Sequence, residues 1–117
     1  MLSFGGKAVY LACGYTDMRK SINGLAVIVE ASFGLDPFSS ALFVFCNRNR
    51  DRIKILEWDG DGFWLYFKRL EKGRFRWPNS DAERTMALSG EELHLLLGSP
   101  RVIQKLKRQE VRIGAVI

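Results

Sequence analysis

Apolar positions alternate between extended and helical periods along the chain, and the switches mark its elements. Ala8 to Cys13 (AVYLAC) is a short apolar run closed by Gly14, which predicts a strand. A helix is expected next. Thr16 has the side chain to cap it, Asp17 would complement the positive end of its dipole, and Gly34 suits the left-handed residue that ends it. Between them Met18, Ile22, Leu25, Val29 and Phe33 recur at spacings of three or four and form one apolar stripe, interrupted only by Asn23 and Gly24. Pro37 disfavours helical geometry at Asp36, and the period becomes extended.

Ala41 to Cys46 (ALFVFC) is apolar on both faces, as a central, covered strand would be. Asn47 to Asp51 reads as a polar loop, and Arg52 to Trp58, Phe63 to Leu70 and Arg74 to Trp77 read as further strands with glycine-containing turns between them. Pro78 to Arg84 is polar, and Thr85 to Leu88 is a short extended piece. Ser89 and Glu92 make a capping box for a leucine-rich helix that runs to Gly98. The predicted fold class is α+β: an antiparallel β-meander of about four to six strands, with an N-terminal helix packed on one face and a short C-terminal helix. Residues 1–98 form the expected compact domain; 99–117 are a basic, amphipathic extension that fits helix, edge strand or mobile tail.

Composition agrees with one domain. The 117 residues are 47% hydrophobic and 26% charged, and a chain this long buries roughly two thirds of its unfolded surface without needing a disulfide or structural metal. Cys13 and Cys46 have no Cys or His partner at zinc-ligand spacing, and His94 is the sole histidine. They read as buried thiols in a reducing compartment. No apolar run is long enough to span a membrane and no secretion signal opens the chain, so a cytoplasmic location is expected. The net charge is +5 and is unevenly spread. Residues 47–54, 68–76 and 101–112 carry net +3, +4 and +4, leaving −6 elsewhere. That pattern suits a polyanionic partner.

"EWDGDGFW" (57–64) sets Glu57, Asp59 and Asp61 close together. A metal-dependent nuclease needs carboxylates that converge on a cation, commonly from different elements, and these are sequence neighbours. A calcium loop fails on its ligands, because the next positions fall on Phe63 and Leu70. Asp-Gly pairs between strand-forming runs are instead a hairpin signal. No nucleophile–base pair can be built around His94, and "GGK" at 5–7 lacks the rest of a phosphate loop. The chain therefore reads as a non-enzyme with no metal and no cofactor, the nuclease remaining the alternative.

On the two strands of the hairpin, Arg52, Lys54, Leu56 and Trp58 share a face, as do Trp64, Tyr66 and Lys68. A loop of two or four residues would set the Trp58 set beside the Phe63 set; an odd, bulged loop would swap them, and both stay open here. Arg48, Arg50, Arg52, Lys54, Lys68, Arg69, Lys72, Arg74 and Arg76 are the candidates for a phosphate-binding surface. Large aromatics fall on both faces, so a homodimer that covers the second face is the competing use.

Three stretches, "TDMRKSINGLAVIV" (16–29), "LDPFSSALFVFCNRNRDRIKILEWDGDGFWLYFKRLEKGRFRWP" (35–78) and "LSGEELHLLLGS" (88–99), resemble the TnpB accessory proteins of the insertion-sequence-66 family of bacterial transposable elements. These are unrelated to the RNA-guided nuclease of the same name. Asp17, Arg19 and Lys20 match one family block; Arg52, Lys54, Trp58, Asp59, Gly60, Asp61, Gly62, Lys68, Arg69, Arg74 and Trp77 match another. The resemblance implies a small non-catalytic protein of DNA transposition whose partners are DNA, the separately encoded transposase, or both. Catalytic acids belong to that transposase. The chain departs from the family at Asn49 and Arg50, where glycine is usual, and in its tail, which lacks the usual tryptophan and prolines.

Overall fold

A computed structural model describes residues 6–98. The predicted 99–117 extension lies outside the described residues. Five strands and two helices follow in the order β1 (Val9–Ala12), α1 (Ile22–Val27), β2 (Leu42–Cys46), β3 (Arg52–Trp58), β4 (Phe63–Arg69), β5 (Thr85–Leu88) and α2 (Gly90–Leu97), with α1 continuing into a π-helical turn at Ile28–Ser32. The strands form one sheet in the order β4-β3-β2-β1-β5.

The sheet is mixed, which corrects the expected antiparallel meander. β2, β3 and β4 do form a meander, but β1 runs parallel to β2, pairing Val9 with Leu42 and Leu11 with Val44. Parallel neighbours need a crossover of a dozen or more residues, and the segment carrying α1 supplies it. β5 then pairs antiparallel with β1 at the far edge.

The first helix starts later than expected, after Ser21 rather than Thr16. Backbone and side chains of 16–20 have other partners. Thr16 N–H donates to the Cys46 carbonyl at 2.7 Å, the Asp17 carboxylate accepts from Arg19 N–H at 2.9 Å, and Lys54 Nζ donates to the carbonyls of Met18 (2.8 Å) and Lys20 (2.9 Å). Together these hold a turn that a continuing helix would break. The helix ends where expected, at Gly34 with φ +65.

Two apolar layers flank the sheet. On one face Leu25 and Val29 pack on Ala12, Phe43, Phe45 and Leu56. On the other, Leu93 and Leu97 of α2 join Phe75 and Trp77 over Val9, Leu11, Val44 and Ile55. β2 is buried along its whole length because both layers meet on it. Each such Leu, Val or Phe contributes about 1.5–3 kcal/mol by leaving water.

Residues 74–77 do not form the expected strand. They run across the second face as an irregular segment, fixed by Phe75 N–H to the Arg50 carbonyl (2.7 Å) and Trp77 Nε1–H to the Ala12 carbonyl (2.8 Å). The alternation read as a strand is a covering loop that buries every second residue, Phe75 and Trp77. α2 has the predicted capping box: Ser89 Oγ accepts from Glu92 N–H at 3.0 Å, and Glu92 Oε1 accepts from Ser89 N–H at 2.8 Å.

Candidate functional site

The hairpin decides which side chains share a face. Asp59 N–H donates to the Gly62 carbonyl at 3.0 Å, closing a four-residue loop, and the ladder pairs Trp58 with Phe63, Lys54 with Phe67 and Arg52 with Arg69. Trp64, Tyr66 and Lys68 therefore lie on the α2 face, across from Glu57, Ile55 and Ile53. Phe38 packs edge-on to Trp58 (5.1 Å between centroids) and against Phe63 (5.4 Å), forming an aromatic knot at the turn end.

Asp59 and Asp61 lie together at the turn, but Glu57 does not join them. Glu57 is buried, accepting from Tyr66 Oη–H at 2.7 Å and from the Lys7 ammonium. Burial first, then the hydrogen bond to Glu57 and the Glu57 charge, push the Tyr66 phenol up to about 12. Asp59 is exposed and accepts from Trp64 Nε1–H at 2.5 Å, which holds its carboxyl below the usual range. Among the described residues no group of three or more His, Cys, Asp or Glu side chains is arranged to hold a metal.

The basic candidates divide into two groups. Arg50, Lys54 and Lys68 hold the fold together. Arg50, at φ +62, donates to the Trp77 carbonyl and to Asn79 Oδ1 (2.9 Å); Lys54 clamps the 18–20 turn; Lys68 Nζ donates to the Leu97 carbonyl (2.6 Å) at the negative end of α2, and burial lowers its pKa. The second group faces outward. Arg48 is exposed, its guanidinium 5.2 Å from the centre of the Tyr15 ring. Arg69 is exposed beside Glu71, and Lys72, Arg74 and Arg76 are exposed with no ion pair among the described residues. Arg52 is half-buried, 3.6 Å from Asp51.

Backbone bonds gather most of these at one end of the sheet. Thr16 N–H bonds the end of β2, Leu70 N–H donates to the Asp51 carbonyl (2.7 Å), and Phe75 N–H reaches Arg50. The 14–21, 47–51 and 70–76 loops therefore meet where β1, β2 and β4 end. Arg48, Arg52, Arg69, Lys72 and Arg74 belong to this end, joined by Arg19 and Lys20. Asp17 forks Arg19 there at 2.7–3.1 Å, and the resulting hydrogen bonds hold its carboxyl down at about 2. Arg76 instead lines an apolar groove of about 280 Å³ with Leu11, Met86, Leu88 and Leu95. Tyr15 was no candidate from the sequence, since its contact with Arg48 spans 33 positions.

Comparison with known proteins adds the context. A family model described as IS66 Orf2 like protein matches residues 7–107. The chain belongs to the IS66 Orf2 like family. Two relatives are similar over most of their length: uncharacterized protein y4hO of Sinorhizobium fredii (strain NBRC 101917 / NGR234), 39% identical over 89 residues (76% of either chain), and uncharacterized protein y4jC of the same strain, 34% identical over 92 residues (79% of this chain, 78% of the relative). No solved structure matches the chain. Membership in the IS66 Orf2 like family associates the chain with transposition of an insertion-sequence element, in an accessory role. Among the described residues no helix is long and apolar enough to cross a membrane.

Proposed function

We propose that this protein is a non-catalytic accessory factor of transposition that grips DNA phosphates with its basic loop end and brings that DNA to the separately encoded transposase. The observation that carries the reading is the meeting of three sequence-distant loops, which turns scattered charge into one exposed patch containing Arg48, Lys72 and Arg74. Such a patch suits a polyanion, because neutralised phosphates release counterions. Arg48 beside Tyr15 adds a planar cation and an exposed ring. The nuclease alternative draws no support from the hairpin, since Glu57 is engaged by Lys7 and Tyr66 while Asp59 is held by Trp64.

The test is a titration of element-end duplex at two salt concentrations, with the wild type and with Arg48→Ser, Lys72→Ser and Arg74→Ser combined. Wild-type affinity should fall steeply with salt. The triple variant should bind more weakly, with a log–log slope shallower by about 0.9 for each phosphate it no longer neutralises. Absence of binding at low salt would remove the DNA half of the reading, and capture of the co-encoded transposase would then test the remainder.

A further inference from the structure

β4 is an edge strand whose outer side meets no other strand among the described residues. The ladder fixes which of its backbone groups point outward. Asp59 N–H to the Gly62 carbonyl and Leu70 N–H to the Asp51 carbonyl put residues 64, 66 and 68 in the pairs that bond β3. The N–H and C=O groups of Phe63, Leu65, Phe67 and Arg69 therefore face away from the sheet.

This edge lacks most of the devices that usually keep edges apart. β4 spans seven residues, has no proline and begins with five apolar or aromatic side chains in succession. Trp64 is 55% and Phe67 56% exposed, on opposite faces. The Trp64 ring stacks with Tyr66 at 6.1 Å and 14° between planes, so one face of the edge is already a preformed aromatic surface.

Charge along the edge selects the occupant. The acidic turn with Asp59 and Asp61 precedes β4, and Lys68 and Arg69 close it. A strand with acids at its start and bases at its end is complementary to itself when reversed.

We propose that the free edge of β4 is a self-association surface on which a second copy of this chain pairs antiparallel, joining two sheets into one of ten strands. The register that satisfies the outward groups is centred on Leu65. It sets Phe63 of one copy opposite Phe67 of the other, Trp64 opposite Tyr66, and Asp61 opposite Arg69. The pairs 63/67 and 64/66 are ring on ring and 61/69 is acid on base, while Gly62 faces Lys68 and Leu65 meets its own copy at the centre, and twofold symmetry repeats each off-centre contact. The basic loop ends of the two copies then lie at opposite ends of the joined sheet, where they would engage two separate stretches of DNA.

Sedimentation equilibrium of the full chain tests this. The wild type should show a concentration-dependent dimer. Phe67→Pro removes one outward N–H and no ladder bond, so it should abolish the dimer with the circular dichroism spectrum retained. Asp61→Arg and Arg69→Asp should each weaken association about tenfold, because an attraction becomes a repulsion made twice, and the double variant should restore it. Restoration is a result that a merely destabilised fold cannot give, and it stands even if the proline variant does not fold. A wild type that stays monomeric at its highest soluble concentration overturns the proposal. So does a dimer indifferent to these variants, or a monomer whose Leu65 and Phe67 amides are already protected from exchange by the chain's own remaining residues.

Discussion

Gly60 and Gly62 occupy equivalent places in the repeated Asp-Gly of the turn, but their backbones differ. Gly60 sits at φ +106, where any Cβ is strained, while Gly62 has no such angle and open space around it. Gly60→Ala should therefore cost about 1–2 kcal/mol, and Gly62→Ala should be neutral or gain about 0.4–1 kcal/mol by restricting the unfolded chain. Urea unfolding of the two variants side by side decides it; equal effects would mean the turn is not held as described. The sequence identified this turn but not its asymmetry, because Asp-Gly signals a positive φ without saying which copy adopts it. Tyr66 offers a second test. Its pKa rises from 10.0 to about 12, so the folded state holds the phenolic proton more tightly than the unfolded chain does. The sign follows: its contribution is complete below about pH 10 and is lost as pH climbs through 12. Between those values wild-type stability should fall more steeply than that of Tyr66→Phe, and the difference in phenolate absorbance between the two proteins should emerge near the upper value.

Elements were legible wherever a local signal set them. The covered strand read at Ala41–Cys46 forms over Leu42–Cys46, and the capping box of α2 and the extended piece Thr85–Leu88 form as read. What failed depended on distant partners. Thr16 looks like a helix cap until its N–H is claimed by Cys46, and "RFRW" alternates like a strand although Phe75 and Trp77 face the sheet as part of a loop. Parallel pairing of β1 with β2 was likewise invisible to periodicity, which reports faces and not neighbours. The candidate site divided for the same reason: nine bases were readable, but only tertiary contacts reveal that Arg50, Lys54 and Lys68 clamp the fold. α2 illustrates such a clamp at both ends, with Ser89 capping one and Lys68 the other. Ser89→Ala should cost about 1 kcal/mol. Amide exchange should accelerate in α2 before β2, since the helix frays from its cap while the central strand opens only with the whole fold. Exchange that rises uniformly would contradict a local role for the cap.

Across the described residues, charge is polarised: outward bases crowd the loop end while Asp59 and Asp61 lie at the opposite, hairpin end. Crowded like charges repel, so the patch is a net liability for the isolated domain. Removing Arg48, Lys72 and Arg74 together as serines should therefore leave the free protein's melting temperature unchanged or slightly higher at low salt. The bound protein should behave in the opposite way. A ligand that binds only the folded state at a hundredfold excess over its Kd adds about 2.7 kcal/mol. For a domain of this size each kcal/mol moves the midpoint by about 4–8 °C, so element-end duplex should raise wild-type melting by about ten degrees or more. The triple variant should lose most of that rise, and added salt should erase the rise in the wild type, because the same phosphates that stabilise the fold release counterions on binding. The two effects have opposite signs in the same variant, which separates a binding surface from a merely structural cluster. A duplex-induced rise of equal size in both proteins would locate DNA binding on some other face.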